Sequence, residues 1–193
     1  KGGLGGTDGF LAAHASRGRF AELLRTLVQS RLPVVAAVHG DAMGGGLGLA
    51  AACDVLLAAE GARLGTPEIK LGLFPWIIAV VLQRDVPRKR LSELVLTGGA
   101  WTAAEAHANG LVSRVVPDGA ALAEAIAVAS RMASLSPAVL GLGKAALHRV
   151  ADLPFEPALA HMHDQLSLNL LTEDAMEGIA AFLGRRDPVW KGR

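Results

Sequence analysis

The stretch VVAAVHGDAMGGGLGLAAACDVLLAAE, Val34 to Glu60, decides the fold of this chain. Val34 to Val38 is a short, uninterrupted apolar run, which predicts a strand covered on both faces, as in α/β sheets. A glycine triplet follows (Gly44, Gly45, Gly46). Gly46 to Cys53 then reads as a helix of small residues and Val55 to Ala59 as a second strand. Glycines at such a helix start leave backbone N–H groups bare where the dipole favours negative charge. That feature holds a phosphate, or an oxyanion that develops during acyl chemistry, or simply lets strand and helix pack closely.

The phosphate reading has some support. Gly46, Gly48 and Ala51 fit a loose dinucleotide fingerprint, and Glu68 lies near the place of a ribose-binding acid. Against it, His39 to Met43 separate the strand from the glycines, whereas the dinucleotide turn follows its strand at once.

Composition narrows the class. The chain has 193 residues, enough for one sizeable core with a helical appendage. It is 51% hydrophobic and only 19% charged, which predicts surface buried against other subunits. A net charge of +1 gives no electrostatic case for nucleic acid or an anionic membrane. Cys53 is alone, so a disulfide within the chain is excluded and a reducing compartment is expected. No signal-type start and no span-length apolar window occur in the sequence, so the expectation is a cytoplasmic protein.

The remaining elements follow from pattern. Phe20, Leu23, Leu24, Leu27 and Val28 share a helical face, predicting a helix over Arg19 to Ser30, and the opening KGGLGGTDGF reads as a loop. Helices dominate from Pro75 onward, at Trp76 to Gln83 and Lys89 to Leu96. Thr102 and Glu105 form a capping-box pair, and Asn109-Gly110 ends that helix. Val112 to Val116 is a late strand, and Ser136-Pro137 an N-cap with proline at the first helical position. Two apolar stripes follow, from Phe155 to Leu170 and from Met176 to Leu183. Strands concentrate early and helices late, with a boundary near Ser134.

Four phrases together resemble the crotonase, or enoyl-CoA hydratase/isomerase, superfamily. They are PVVAAVHGDAMGGGLGLAAACD (Pro33 to Asp54), ARLGTPEIKLGLFP (Ala62 to Pro75), ELVLTGGAWTAAEAHANGLVSRVVP (Glu93 to Pro117) and EDAMEGIAAFLGRRDPVWKG (Glu173 to Gly192). The resemblance implies an α/β fold: a spiral core of ββα turns over residues 1–134, with its N-terminal part missing. A helical region for trimerisation, over residues 135–193, would follow. It implies an acyl-CoA substrate whose thioester enolate is stabilised by two backbone N–H groups, those of Gly45 and Gly5. Gly6, Thr7 and Asp8 would line the acyl path. CoA enters as part of the substrate, with no metal or redox cofactor. Self-association as a homotrimer or a dimer of trimers is expected.

Hydratases of this superfamily use two glutamates, one two residues past the triplet and one twenty further on. The first position here is Gly48; the second is Glu68, expected as the general acid/base. Hydration of enoyl-CoA is the first expectation. Double-bond isomerisation by Glu68 alone is the alternative, since one carboxylate can remove and return a proton. A non-catalytic acyl-CoA-binding or scaffold protein is the reading from another class. Trp76, Ile77 and Ile78 stand where the family has small residues, predicting a reshaped acyl pocket around Trp76. Arg185 occupies the place of a basic residue that reaches the CoA phosphates from a neighbouring subunit. His161, His163 and Asp164 do not make a metal site, because histidines two apart on a helix face apart.

Overall fold

The computed structural model describes residues 7–193, with side chains from Gly9 onward. Helix α1 (Thr7–Gln29) leads into β1 (Val35–Val38), β2 (Ala42–Met43) and α2 (Gly45–Ala51). The next turn contains β3 (Val55–Ala59), β4 (Arg63–Gly65), a 3-10 turn (Pro67–Leu71), α3 (Trp76–Asp85) and α4 (Arg88–Thr97). A third contains β5 (Ala100–Thr102), α5 (Ala103–Ala108) and β6 (Arg114–Val116). Four helices complete the chain: α6 (Ala121–Ala133), α7 (Pro137–Val150), α8 (Phe155–Leu170) and α9 (Glu173–Leu183).

Each turn gives one strand to each of two sheets. The first sheet has the order β1-β3-β6 and is parallel throughout; the second has the order β2-β4-β5, with β5 antiparallel. Pairing is set by the length of a turn: Val35 lies opposite Val55, and Met43 opposite Gly65. Residues about one turn apart in sequence are therefore neighbours in space. This spiral of ββα units is the crotonase fold.

Alternation along β3 divides the core. Leu56 and Ala58 pack with Leu47, Leu64 and Leu82 between the sheets and helices, whereas Leu57 and Ala59 pack with Ala125 and Val128 of α6. The central strand β3 is thus buried on both faces. The expectation of burial on both faces fell on β1 instead, and all four β1 residues are only half-buried. Its outer edge carries no strand among the described residues.

Other expectations need correction. Helix α1 starts at Thr7 rather than near Arg19, so Thr7 and Asp8 belong to its first turn and not to a loop. Ala12, Ala13 and Ala15 extend it by intrinsic propensity, without an apolar stripe to mark it. Strands β2 and β5 are too short for a visible period. Where expected, the capping box at Thr102 and Glu105 is formed, Gly110 takes φ 85°, and the Ser136 side chain accepts from the Val139 N–H.

A buried cation ties the helical region to the core. Lys144 of α7 donates to the Leu27 and Leu32 carbonyls and, at 2.7 Å, to Asp54 Oδ2, which also accepts from the Val34 N–H. Asp54 is therefore structural. Cys53 beside it donates to the Leu49 carbonyl, and burial pushes its thiol pKa up, so it is an inert core residue.

Candidate active site

Two consecutive turns of the spiral bring the candidate residues together. Gly44 has φ 53° and ψ −123°, a conformation that side chains resist, and it turns the chain from β2 into α2. A Cβ there would lie 2.9 Å from Glu68 Oε1, so any side chain at this position would push the carboxylate aside. Its own N–H is bonded to the Gly65 carbonyl across the β2–β4 pair. The next amide, that of Gly45, is at the first residue of α2 and has no acceptor among the described residues.

Glu68 is placed by the surroundings of the 3-10 turn. Thr66 is fully buried; its hydroxyl donates to the Leu94 carbonyl and its N–H to that of Gly99. Gly65 has no room for a side chain, since a Cβ would meet the Gly99 carbonyl at 2.6 Å. Gly98, at φ 63°, closes α4 against Ile69. The half-buried Glu68 carboxylate ends this chain of constraints with Oε2 buried and without any hydrogen-bond partner among the described residues. An orphaned carboxylate oxygen is uncommon in a folded protein and marks a group held for something else.

Both groups open on one cavity of about 560 Å³, lined by Gly45, Glu68 and Phe74 to Ile78 on one side and by α1 on the other. The α1 wall includes His14, Arg17 and Phe20, none of which the sequence marked as site residues. Of these only Phe20 carried a signal, as the first member of the apolar stripe. Trp76 lines the cavity, is 75% exposed, and stacks obliquely on Phe74 with ring centres 4.7 Å apart. Ile78 behaves differently. It is buried, and a Cβ on Gly48 would meet its Cγ2 at 2.1 Å. The position of the first hydratase glutamate is therefore filled by an isoleucine from the next turn.

The other site residues lie elsewhere. Gly5 and Gly6 are outside the described residues, and the side chains of Thr7 and Asp8 are too. Arg185 follows α9 with φ 50°, a left-handed conformation rare for a non-glycine residue, and its side chain is exposed. Neighbouring Arg186 is bound to both oxygens of Glu177 and is not available for other work. His163 and Asp164 are exposed on α8, and no group of three metal-ligating side chains gathers among the described residues.

Comparison with known proteins identifies the family. The family model of enoyl-CoA hydratase/isomerase matches residues 7–193. The 2,3-dehydroadipyl-CoA hydratase of Escherichia coli is 43% identical over 162 residues, 83% of this chain and 64% of that protein. A probable enoyl-CoA hydratase of Mycobacterium bovis is 40% identical over 168 residues, 86% of this chain and 65% of that protein. The crystal structure of human enoyl-CoA hydratase domain-containing protein 3 superposes with a TM-score of 0.90 at 34% identity, covering 96% of this chain and 74% of that one. A Mycobacterium smegmatis enoyl-CoA hydratase gives 0.90 at 32% identity, covering 98% and 73%. The fold is that of the crotonase superfamily, and the chain belongs to the enoyl-CoA hydratase/isomerase family within it. It spans a little under two thirds of these two curated relatives.

Proposed function

We propose that this chain acts on acyl-CoA thioesters as an enoyl-CoA hydratase. The carbonyl oxygen of the thioester would accept from the Gly45 N–H, and the charge that develops there on enolate formation would be stabilised by that fixed donor. Such donors are worth about 3–4 kcal/mol each in a dry site. The second donor is assigned to Gly5, with Gly6, Thr7 and Asp8 beside the acyl path. Glu68 is the acid/base. In hydration it takes a proton from water as the oxygen bonds to Cβ, then gives that proton to Cα, so one carboxylate closes the cycle.

The observation that carries this reading is the partnerless Oε2 of Glu68 on the same cavity wall as the Gly45 amide. Hydration is favoured by the hydratase names of the relatives at 38–43% identity. A second reading, the 1,3 shift of a double bond, draws on Ile78. With Gly48 sealed, Glu68 has no carboxylate partner at that position, and a shift needs only one base to take a proton from Cα and return it to Cγ. CoA enters as part of the substrate.

Turnover of crotonyl-CoA and of 3-hexenoyl-CoA, by wild type and Glu68→Gln, tests both readings. Loss of crotonyl-CoA hydration in the variant supports the first, and loss of 3-hexenoyl-CoA conversion alone the second. Retained CoA-ester binding with no turnover in either protein would instead make the chain a binding module. The exposed Phe155, Leu159, Leu166, Phe182 and Leu183 of α8 and α9 support assembly as a homotrimer or a dimer of trimers, in which Arg185 would reach the CoA phosphates of a neighbour.

A further inference from the structure

A second cavity, of about 740 Å³, lies between α1, α3 and α7. It shares Ala21, Trp76 and Ile77 with the cavity of Glu68, so the two are adjacent and Trp76 lines both. Their charges differ. The first cavity has Glu68 in its wall along with Arg17 and His14, whereas the second is lined by Arg25, Arg84, Arg149 and His148 and by no carboxylate. Its floor is apolar, with buried Leu24 and Val81 and half-buried Val28.

The cations around it are not equivalent. Arg25 is bonded to Glu22 at 2.8 Å, Arg84 to Asp152, and His148 stands 3.3 Å from Asp54 Oδ1. The Arg149 side chain makes no hydrogen bond or ion pair among the described residues. It sits five residues beyond Lys144, whose bond to Asp54 fixes this part of α7 against the core. A cavity with an apolar floor beside the thioester site, edged by the exposed and uncommitted guanidinium of Arg149, fits a hydrocarbon chain ending in an anion. A planar guanidinium matches a carboxylate with two parallel hydrogen bonds, while an uncharged chain end would leave it unused.

Resting on the acyl-CoA reading above, we propose that the second cavity takes the far end of the acyl chain and that Arg149 binds a carboxylate at the ω carbon. The preferred substrates are then CoA thioesters of dicarboxylic acids, whose chains pass the edge of Trp76. A CoA phosphate offers similar anionic chemistry, and the test separates the two sources.

Adipyl-CoA and suberyl-CoA are titrated by calorimetry into wild type and Arg149→Gln, each against its neutral counterpart, hexanoyl-CoA or octanoyl-CoA. Wild type is expected to bind the dicarboxylic ester about ten-fold more tightly than the neutral ester of equal length, as one good charged hydrogen-bond pair provides. That preference should collapse towards one in the variant and persist in wild type with 3′-dephospho-CoA esters. Equal affinities in wild type, or a preference that survives Arg149→Gln, overturn the proposal. So does a variant that weakens neutral and dicarboxylic esters alike, which assigns the anion to CoA itself. Failure to bind any CoA ester defeats the functional reading and this proposal with it; hexanoyl-CoA bound as well as adipyl-CoA defeats the proposal alone.

Discussion

Three half-buried or buried carboxylates, in two regions of the molecule, are treated in opposite ways. At the C-terminal end Asp174 accepts from the Ser136 hydroxyl and the Lys191 and Gly192 amides, using both oxygens. Glu177 likewise takes Arg186 on both oxygens and the Val189 N–H. These bonds fold the last residues back over α9, and Trp190 donates to the Ser134 carbonyl to complete the strap. At the seam between the first two spiral turns, Glu68 is held just as firmly by its backbone, yet neither of its carboxylate oxygens has a partner among the described residues, and Oε2 is buried. The carboxylates with both oxygens engaged hold structure; the one left without partners faces the cavity. Site and scaffold are distinguished here by what a side chain lacks.

The sharpest way to break this contrast is Glu68→Gln. It keeps shape and removes proton transfer, so turnover of the preferred enoyl-CoA should fall about 10³-fold with an unchanged circular dichroism spectrum. A rate within a few fold of wild type would place the chemistry elsewhere.

Gly48→Glu tests why the seam has a single carboxylate. Alone, the new side chain collides with Ile78 and should cost about 1–3 kcal/mol of stability as overpacking, read as a lowered denaturation midpoint. Combined with Ile78→Gly it has space, and the ratio of hydration to double-bond shift should rise about ten-fold. An unaltered ratio in a folded double variant would show that the absent glutamate does not set the reaction. Within the α1 wall, His14→Gln should reduce hydration more than isomerisation if water is oriented from that side.

Lys144→Met removes the buried ammonium from Asp54 and from the Leu27 and Leu32 carbonyls, and chemical unfolding should show a loss of about 1–3 kcal/mol, as when buried polar groups lose a partner. Activity per folded molecule should be less affected than with Glu68→Gln.

The smallest effect is expected at the strap. Arg186 and the Val189 amide depress the Glu177 pKa to about 2 from an ordinary 4.5. Because the folded carboxyl titrates below the unfolded one, its contribution is whole above about pH 4.5 and declines as the pH falls towards 2. Ser136 and the tail amides lower Asp174 in the same direction. Trp190 fluorescence should report release of the strap in that window, and Glu177→Gln should shift the release to higher pH. A fluorescence signal flat through the window would mean that the tail is held by packing instead.

Legibility in the sequence followed the range of the interaction. The strand, triplet and second strand of Val34 to Ala59 are local patterns and were readable, as was the Thr102–Glu105 cap. The pairing of position 48 with Glu68 came only with the family resemblance; the structure adds that twenty residues is also the offset at which β1 pairs with β3. What fills Gly48 was not readable at all. Ile78 arrives from thirty residues on, and nothing local announces that its Cγ2 occupies the place of a missing side chain. Helix α1 escaped for a different reason: Phe10 and Leu11 are exposed, so the N-terminal half of the helix has no stripe to reveal it. The tethering of Arg186 beside an untethered Arg185 depends on the chain doubling back at Val189, which periodicity does not encode.

Strand pairing at offsets of one spiral turn makes the chain between Gly44 and Glu68 a ruler as well as a scaffold. Substitutions along it leave its graduations intact, whereas a single-residue insertion or deletion inside β3 or β4 would turn Leu56 to Ala59, or the carboxylate itself, towards the wrong side. Lineages of this protein should therefore tolerate drift in residue identity there while keeping the number of residues fixed, with length changes confined to the bend at Glu60–Gly61.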